Sequence, residues 1–397
     1  MSDSFAEQLS NVKLKSSKNK TKDFSDPKLA GEFEVNTYLI NMIKVGFITK
    51  DQISAYQKTA LEANMEEWQM LLADETFPTI YCPITYSDAK HFIRIFERYF
   101  QKLHEHQLFD QIRAQMHTCF DDDQEEKQWY EQIKERLQKT IDQAFPDTKN
   151  FFAKTSSRSA KDTCIFKEDF LQIYRRELSK FPDPLQENSR ITALLTAAFL
   201  SLCVTSAADV LSMFIISERI YQDMLLATEA QNTADSLFKE NIILRPFIPI
   251  DVDMEFRGFV FQRRLTCISQ YNYLIYSQRL CEWKDNILEK ILSFFNDIVR
   301  IKLNQYKSNS YVIDFALAKG DDESVNSMKV WVIELNPFME TTDGALFSWQ
   351  HERDVLEGQA NENKDKTLFR ITERVRPGSW TMLPISIRQW IKDESGL

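Results

Sequence analysis

The sequence predicts an α+β fold, with helices in the N-terminal half and antiparallel strands in the C-terminal half. Two patterns indicate β-hairpins: Met254–Val260 with Arg264–Ser269, and Tyr311–Leu317 with Val330–Leu335. In both pairs, strand-forming residues flank a polar turn. Earlier in the chain, apolar residues recur at the spacing of a helix. A chain of 397 residues is long enough for two or three domains.

The composition limits the classes of function. The chain is 43% hydrophobic and 27% charged, which is typical of a soluble globular protein. A net charge of −10 argues against a general nucleic-acid binder, because such proteins need a basic face. The six cysteines and five histidines show no zinc spacing, and reduced thiols fit a cytoplasmic protein. Without GxGxxG or GxxxxGK, a bound nucleotide would be held by side chains and sheet surfaces.

An uncharged run of 18 residues, Ile191–Ala208, is long enough to be compared with a membrane span. Hydroxyl-bearing residues interrupt it, Asp209 follows it, and no aromatic belt flanks it. We therefore interpret it as a buried helix that runs into a surface segment. The N-terminus is polar and lacks an apolar secretion segment, so the sequence predicts no membrane association.

Residues 1–30 are polar and lysine-rich and are predicted to be flexible. Within them, Ser4–Lys15 resembles the WASP-homology actin-binding motif, an amphipathic helix followed by Leu-Lys-Lys. Phe5 and Leu9 lie one helical turn apart, as the motif requires. The second lysine of the motif is replaced by Ser16. Actin binding through residues 4–15 is one interpretation, and a frayed N-terminal helix is the other.

Residues 31–145 are predicted to form a helical region. Apolar residues at helical spacing run from Asp88 to Leu103 and again from Trp129 to Ile141. These stripes are interpreted as core faces. Between them, Asp121–Asp123 is interpreted as a solvated turn or helix cap rather than a cation site.

A polar set in the second hairpin indicates a metal site. Because side chains alternate between the faces of a strand, Asp314 lies opposite its apolar neighbours. Glu334 and Asn336 likewise share one face of the following strand. Two carboxylates and an amide on a rigid sheet suit Mg²⁺, which takes its other ligands from water and phosphate. The alternative is that these residues lie on an edge strand and face water.

The same alternation predicts which residues of the hairpins share a face. On the second strand of the later hairpin, Trp331, Ile333 and Leu335 are predicted to lie together, opposite Glu334. In the earlier hairpin, Glu255 and Arg257 share a face. They either pair with each other or point into a site.

The later hairpin resembles the cell division cycle protein 123 family, whose members have an ATP-grasp fold. The likeness lies in the strands YVIDF and VWVIELNPF and in Thr342-Asp343 and Leu346–Trp349, which follow them. It continues upstream in Met254–Val260 and Ile268–Gln270 and covers roughly residues 146–390. The resemblance implies that residues 146–397 form an ATP-grasp-like domain with two lobes and antiparallel sheets. Residues 31–145 show no match to the family.

The resemblance also implies ATP and Mg²⁺ as ligands. Lys154, Lys161 and Asp162 match a segment of the family that contacts the phosphates, although the neighbouring Asn, Trp and Pro positions of that segment differ here. Lysines beside hydroxyl groups neutralise a triphosphate without a glycine loop. An exposed basic loop is the alternative.

Three further cofactor-binding residues are expected from the family. Arg245, in the predicted strand Asn241–Pro249, matches a Leu-Arg pair beside the adenine. Glu255 and Arg257 complete the predicted set. Arg257 is also the candidate catalytic residue, as a contact of the γ-phosphate or of an acyl-phosphate.

Three functions follow from these residues. By resemblance, the protein would assist assembly of translation initiation factor two, as a chaperone that binds the gamma subunit. Alternatively, it is an ATP-grasp enzyme, a carboxylate-amine ligase or a phosphoryl or nucleotidyl transferase, that modifies a protein such as actin. A scaffold that has lost nucleotide binding is the third option, against which the intact Asp314, Glu334 and Asn336 set argues.

Overall fold

Two β-sheets organise the α+β fold of the computed structural model. The model describes residues 58–121, 123–230, 238–318, 325, 327–359, 366–383, 387–388 and 391–392. The segment with the predicted actin-binding motif, residues 4–15, lies outside them. The strands are β1 (Ile80–Ile84), β2 (Phe151–Thr155), β3 (Cys203–Val204), β4 (Glu240–Pro246), β5 (Glu255–Phe261), β6 (Arg264–Gln270), β7 (Tyr311–Ala318), β8 (Lys329–Pro337) and β9 (Leu368–Arg370).

The first sheet has the order β1-β4-β2-β3, and the second has the order β8-β7-β5-β6-β9. Neighbouring strands are antiparallel except for β9, which runs parallel to β6. The predicted hairpins are β5–β6 and β7–β8. Between β5 and β6, Gln262 and Arg263 both have positive φ, of 50° and 63°. This conformation matches the twist of the strands in a two-residue hairpin turn.

Helices cover both sheets. The four-stranded sheet shares a core with the helices Tyr86–Ile95, Gln101–Glu105, Phe109–Thr118, Gln124–Ala144, Phe170–Leu178, Glu187–Leu200, Ala207–Ile216 and Glu218–Ala230. The five-stranded sheet packs against Gln278–Glu282 and Lys284–Phe294, and the short helix Arg300–Lys302 follows. Short helices at Arg353–Leu356 and Ser379–Met382 follow. No helix among the described residues is both long enough and apolar enough to cross a membrane.

Local capping explains where several helices begin. Thr85 and Asp88 form a capping box before the helix Tyr86–Ile95, and Asp123 caps Gln124–Ala144. The acidic run at Asp121–Asp123 therefore includes a helix cap, which was one of its two interpretations.

The region 31–145 is not purely helical, in contrast to the prediction. Its strand β1 pairs with β4, so Ile80 lies opposite Leu244. Its helices share one core with residues of β2 and β4. The described part of this region therefore builds one face of the four-stranded sheet, and it is not a separate unit.

A β-bulge in β8 places some side chains of the later hairpin on a different face of the sheet from the one predicted. Asp314 pairs with Glu334, but the next residue, Phe315, pairs with Val332, so Ile333 is the extra residue. Before the bulge, Trp331 therefore lies on the same sheet face as Glu334. The core positions are instead taken by Val330, Val332 and Leu335.

Candidate functional site

Charged side chains from both sheets meet at one buried place. Lys154 on β2 donates to Glu334 on β8, with 3.1 Å between Nζ and Oε2. Lys154 is 4% exposed. Burial opposes ionisation of Glu334, but Lys154 and Lys161 hold the pKa of its carboxyl well below the usual range. The pair connects the two sheets, and the Glu334 carboxyl stays ionised at neutral pH.

Arg257 on β5 faces Asp314 on β7 in the strand register. Its Nε and Nη2 donate to the two carboxylate oxygens of Asp314, each at 2.8 Å. Its Nη1 donates to the carbonyl of Asp343 at 2.9 Å, and its guanidinium lies 4.8 Å from the centre of the Tyr271 ring. Arg257 is fully buried, so all three of its nitrogens are committed within the protein.

These contacts revise the expected role of Arg257. A side chain that is buried and bound to Asp314 holds that carboxylate in place, whereas the contact with a γ-phosphate or an acyl-phosphate stays a prediction. Nor does it pair with Glu255, which was one of the alternatives. Burial raises the pKa of Asp314, and Arg257 offsets part of that rise. Arg257 is therefore a positioning residue.

The three residues predicted to bind Mg²⁺ lie together. Asn336 Nδ2 is 3.2 Å from Asp314 Oδ2 and 3.5 Å from Glu334 Oε1. Asp314 Oδ2 accepts from both Arg257 and Asn336, whereas Asp314 Oδ1 and the two Glu334 oxygens each accept one of these hydrogen bonds and keep a second lone pair. Within the described residues, no three His, Cys, Asp or Glu side chains form a metal-binding group. A metal here would have two carboxylates and an amide, and the remaining ligands would come from water or phosphate, as Mg²⁺ accepts.

Lys161 and Glu255 lie beside this set. Lys161 Nζ is 3.4 Å from the hydroxyl of Tyr271. Burial opposes its charge, but Tyr271 and Glu255 hold the pKa of Lys161 above its ordinary value. For Glu255, burial raises the pKa to about 7 against the opposing effect of Lys161. Glu255 therefore changes charge near neutral pH.

An apolar cleft opens beside Lys161 and Glu255, with about 560 Å³ of space, part of it open to solvent. Its apolar walls include Phe77, Phe152, Phe199, Phe247, Ile248 and Ile333. Arg245 lines it from β4 and donates to the carbonyl of Ile333 at 2.8 Å, which again joins the two sheets. Burial lowers the pKa of Arg245 to about 10, so it stays protonated at neutral pH.

A second, more polar cavity also has Lys161 in its lining. Ser157, Arg158, Ser159, Arg219, Tyr271, Glu334 and Asn336 line it. Lys161 borders both cavities. The site thus combines an apolar cleft, a group of charged side chains and a polar cavity with further cations. This combination suits a ligand with a flat apolar part and an anionic tail.

Asp162 has a different place from the one predicted. Its carboxylate accepts from Ser217 Oγ at 2.7 Å and from the backbone N of Arg219 at 3.3 Å. It therefore caps the start of the helix Glu218–Ala230. It lines neither of the two cavities described above. Asp162 affects the site only indirectly. It accepts from the backbone of Arg219, and the Arg219 side chain donates to the carbonyl of Ser159, a lining residue, at 2.9 Å.

Sequence reasoning missed Phe77 and Tyr271 as site residues. Phe77 precedes β1 and stacks on Trp331 with 5.2 Å between ring centres. Tyr271 lies under both Arg257 and Lys161. Single aromatic residues carry no spacing signal. The position of Tyr271 directly after β6, next to two other residues of the predicted motif, is the one hint in the sequence.

Comparison of the sequence with known proteins finds one matching family. A family model described as D123 matches residues 193–386. The chain is 29% identical over 180 residues to the "Translation initiation factor eIF2 assembly protein" of Xenopus laevis, covering 44% of this chain and 50% of that protein. The protein of the same name from Dictyostelium discoideum is 27% identical over 199 residues, covering 50% and 48%. The chain spans about half the length of the curated relatives it matches.

Solved structures extend the likeness toward the N-terminus. The C-terminally truncated Cdc123 from Schizosaccharomyces pombe aligns with a TM-score of 0.52 over 82% of this chain and 98% of that one, at 19% identity. At this identity the likeness shows the fold alone. The alignment covers more residues than residues 146–397 contain. Part of the region before residue 146 therefore belongs to the shared fold, although no match was predicted there. The predicted family resemblance is confirmed: residues 193–386 match the D123 family model, and the fold is similar to that of Cdc123 from Schizosaccharomyces pombe.

Proposed function

We propose that the chain binds ATP together with Mg²⁺ between its two sheets. One observation carries this proposal: the Lys154–Glu334 pair spans the sheets at 3.1 Å, Glu334 lines the polar, cationic cavity, and Lys161 lines both that cavity and the apolar cleft. The apolar cleft suits the adenine, and Lys154 and Lys161 suit the phosphates. Asp314, Glu334 and Asn336 would hold Mg²⁺, which neutralises phosphate charge.

The ion pair explains why nucleotide and metal would bind together. Lys154 and Glu334 neutralise each other in the nucleotide-free protein. A polyphosphate competes for Lys154, and that competition leaves Glu334 as a buried carboxylate in need of a cation. Mg²⁺ supplies that cation, so bound ATP favours the binding of Mg²⁺ and bound Mg²⁺ favours the binding of ATP.

Calorimetry of ATP with and without Mg²⁺ tests the proposal. We expect ATP to bind only when Mg²⁺ is present, and Glu334→Gln to remove the metal-dependent part. Asp285→Asn, an exposed carboxylate on a helix away from the site, is the matched control. Equal ATP affinity in Mg²⁺ and in EDTA would refute the proposal.

We also propose that the protein takes part in assembly of translation initiation factor two, through the gamma subunit. The support is the shared family and the names of the relatives in Xenopus laevis and Dictyostelium discoideum. Binding of purified gamma subunit, with and without Mg²⁺ and ATP, is the test. Absence of a complex at micromolar concentrations would count against it.

The ATP-grasp enzyme remains the second candidate. Its support is the same charged set, but Arg257, the residue assigned to an acyl-phosphate, is buried against Asp314. Incubation with ATP radiolabelled at the α- or γ-phosphate, and with the gamma subunit or actin, separates the two. Transfer of label to either protein would favour a phosphoryl or nucleotidyl transferase, and release of labelled inorganic phosphate from γ-labelled ATP only when the target protein is present would favour a ligase.

A further inference from the structure

Three buried side-chain oxygens near the start of β4 have no hydrogen-bond partner in the part of the chain that the structure describes. They are Asn64 Oδ1, Glu66 Oε2 and Glu240 Oε2. Asn64 is 6% exposed and Glu240 is 2% exposed. An unsatisfied buried acceptor destabilises the folded protein, and more so if it is charged. Three of them in one cluster require an explanation.

Hydrogen bonds show that these residues form one cluster around Ser156, which follows β2. Ser156 Oγ and Asn241 Nδ2 both donate to Glu66 Oε1, each at 2.5 Å. Asn64 Nδ2 donates to Glu240 Oε1 at 3.1 Å. The backbone N of Asn241 donates to Ser156 Oγ at 3.0 Å. Each carboxylate therefore has one bound oxygen and one oxygen that lacks a partner.

The cluster would carry excess negative charge if both carboxyl groups were ionised. Burial raises the pKa of Glu240 well above its usual value, and the neighbouring Asp223 and Glu66 raise it further. Burial also raises the pKa of Glu66, with only partial relief from Lys154. The ammonium of Lys154 is already paired with Glu334. A cation from solution would relieve both the charge and the unsatisfied oxygens.

We propose that Asn64, Glu66 and Glu240 hold a hard divalent cation of the Mg²⁺ type, at a site separate from the candidate ATP site. All three ligand atoms are oxygens, which hard cations prefer. Two carboxylates and one amide leave positions for water, as is usual for Mg²⁺. The ion would tie the segment at residues 64–66 to β4, beside the loop that carries Ser157 and Arg158.

Titration of the full chain with Mn²⁺, followed by electron paramagnetic resonance in the absence of nucleotide, tests the site. We expect saturable binding in the wild-type protein. Glu240→Gln and Glu66→Gln should each weaken it by about tenfold or more, since even supporting residues of a metal site have effects of that size. Asp285→Asn, an exposed carboxylate, should leave it unchanged.

Thermal unfolding distinguishes a variant that has lost the cation site from one that fails to fold. In EDTA, Glu240→Gln should melt no lower than wild type, because it removes an unpaired buried charge. Mn²⁺ should raise the wild-type melting temperature and leave that of Glu240→Gln unchanged. Binding of ATP with Mg²⁺ should persist in Glu240→Gln. Loss of the cation site can therefore be distinguished from loss of the candidate ATP site.

Two results would overturn the proposal. One is Mn²⁺ binding that is absent in the wild type or survives both substitutions. The other is a wild-type melting temperature that Mn²⁺ does not change but that falls as pH is raised through neutrality in EDTA. In that case Glu240 shares a proton with its neighbours, because a folded pKa raised by burial stabilises the protein only while the group stays protonated.

Discussion

Replacing Lys154 by methionine removes one ammonium from the sheet-spanning pair and keeps the length of the side chain. The lost contact is a charge-assisted hydrogen bond of 3.1 Å to a largely buried carboxylate. Hydrogen bonds to charged groups contribute about 1.5–3 kcal/mol. If the ammonium contacts the terminal phosphates, the affinity for ATP should fall by roughly tenfold or more.

AMP gives the discriminating comparison. It lacks the terminal phosphates assigned to Lys154, so Lys154→Met should weaken ATP much more than AMP. Both affinities are measured by calorimetry in Mg²⁺, and Lys149→Met, an exposed lysine just before β2, is the matched control. An equal loss for ATP and AMP would show that Lys154 does not contact the terminal phosphates.

Three further predictions follow from the site. Because Glu255 has a pKa of about 7, ATP affinity should fall as pH rises from about 6 to about 8, and Glu255→Gln should flatten that difference relative to wild type in calorimetry. Arg257→Met should lower the free energy of unfolding in urea by about 3–5 kcal/mol, because Asp314 is left as an unpaired buried charge; a loss within error would contradict the pairing. Deletion of residues 1–30 should leave ATP affinity unchanged, whereas Phe5→Ala with Leu9→Ala should abolish co-migration with monomeric actin in size exclusion if the motif is active.

The Glu255 prediction has a definite sign for stability as well. Its folded-state pKa is raised above the ordinary value, so its contribution to stability is complete at acid pH and is lost as pH rises through about 7. Urea unfolding of wild type and Glu255→Gln across this range measures it. Identical pH dependence in the two proteins would contradict the environment described for this carboxyl.

Local patterns predicted the hairpins because each depends on residues close in sequence. The β5–β6 turn and the shared face of Glu334 and Asn336 both follow from strand alternation around a polar turn. The bulge at Ile333 could not be predicted, since Val332 and Ile333 are both β-branched and either fits the core. The alternation rule assumes no extra residue, so it placed Trp331 on the wrong face.

Long-range pairing explains the other differences. The pattern placed Arg257 on the same face as Glu255. The partner of Arg257, Asp314, depends on the register of β5 against β7, which cannot be deduced from the pattern of either strand alone. The strand β1 was missed because it is five residues long and contains Pro83. Proline is tolerated there because β1 lies at the edge of its sheet.

Photo-crosslinking with 8-azido-ATP tests most directly whether the cleft between the sheets is a nucleotide site. The full chain is irradiated with the probe in Mg²⁺, and labelled peptides are identified by mass spectrometry. We predict that the label lies on peptides containing Phe77 or residues 246–250, which line the apolar end, and that excess ATP or EDTA prevents it. Labelling elsewhere on the chain, or labelling that EDTA does not reduce, would contradict the account.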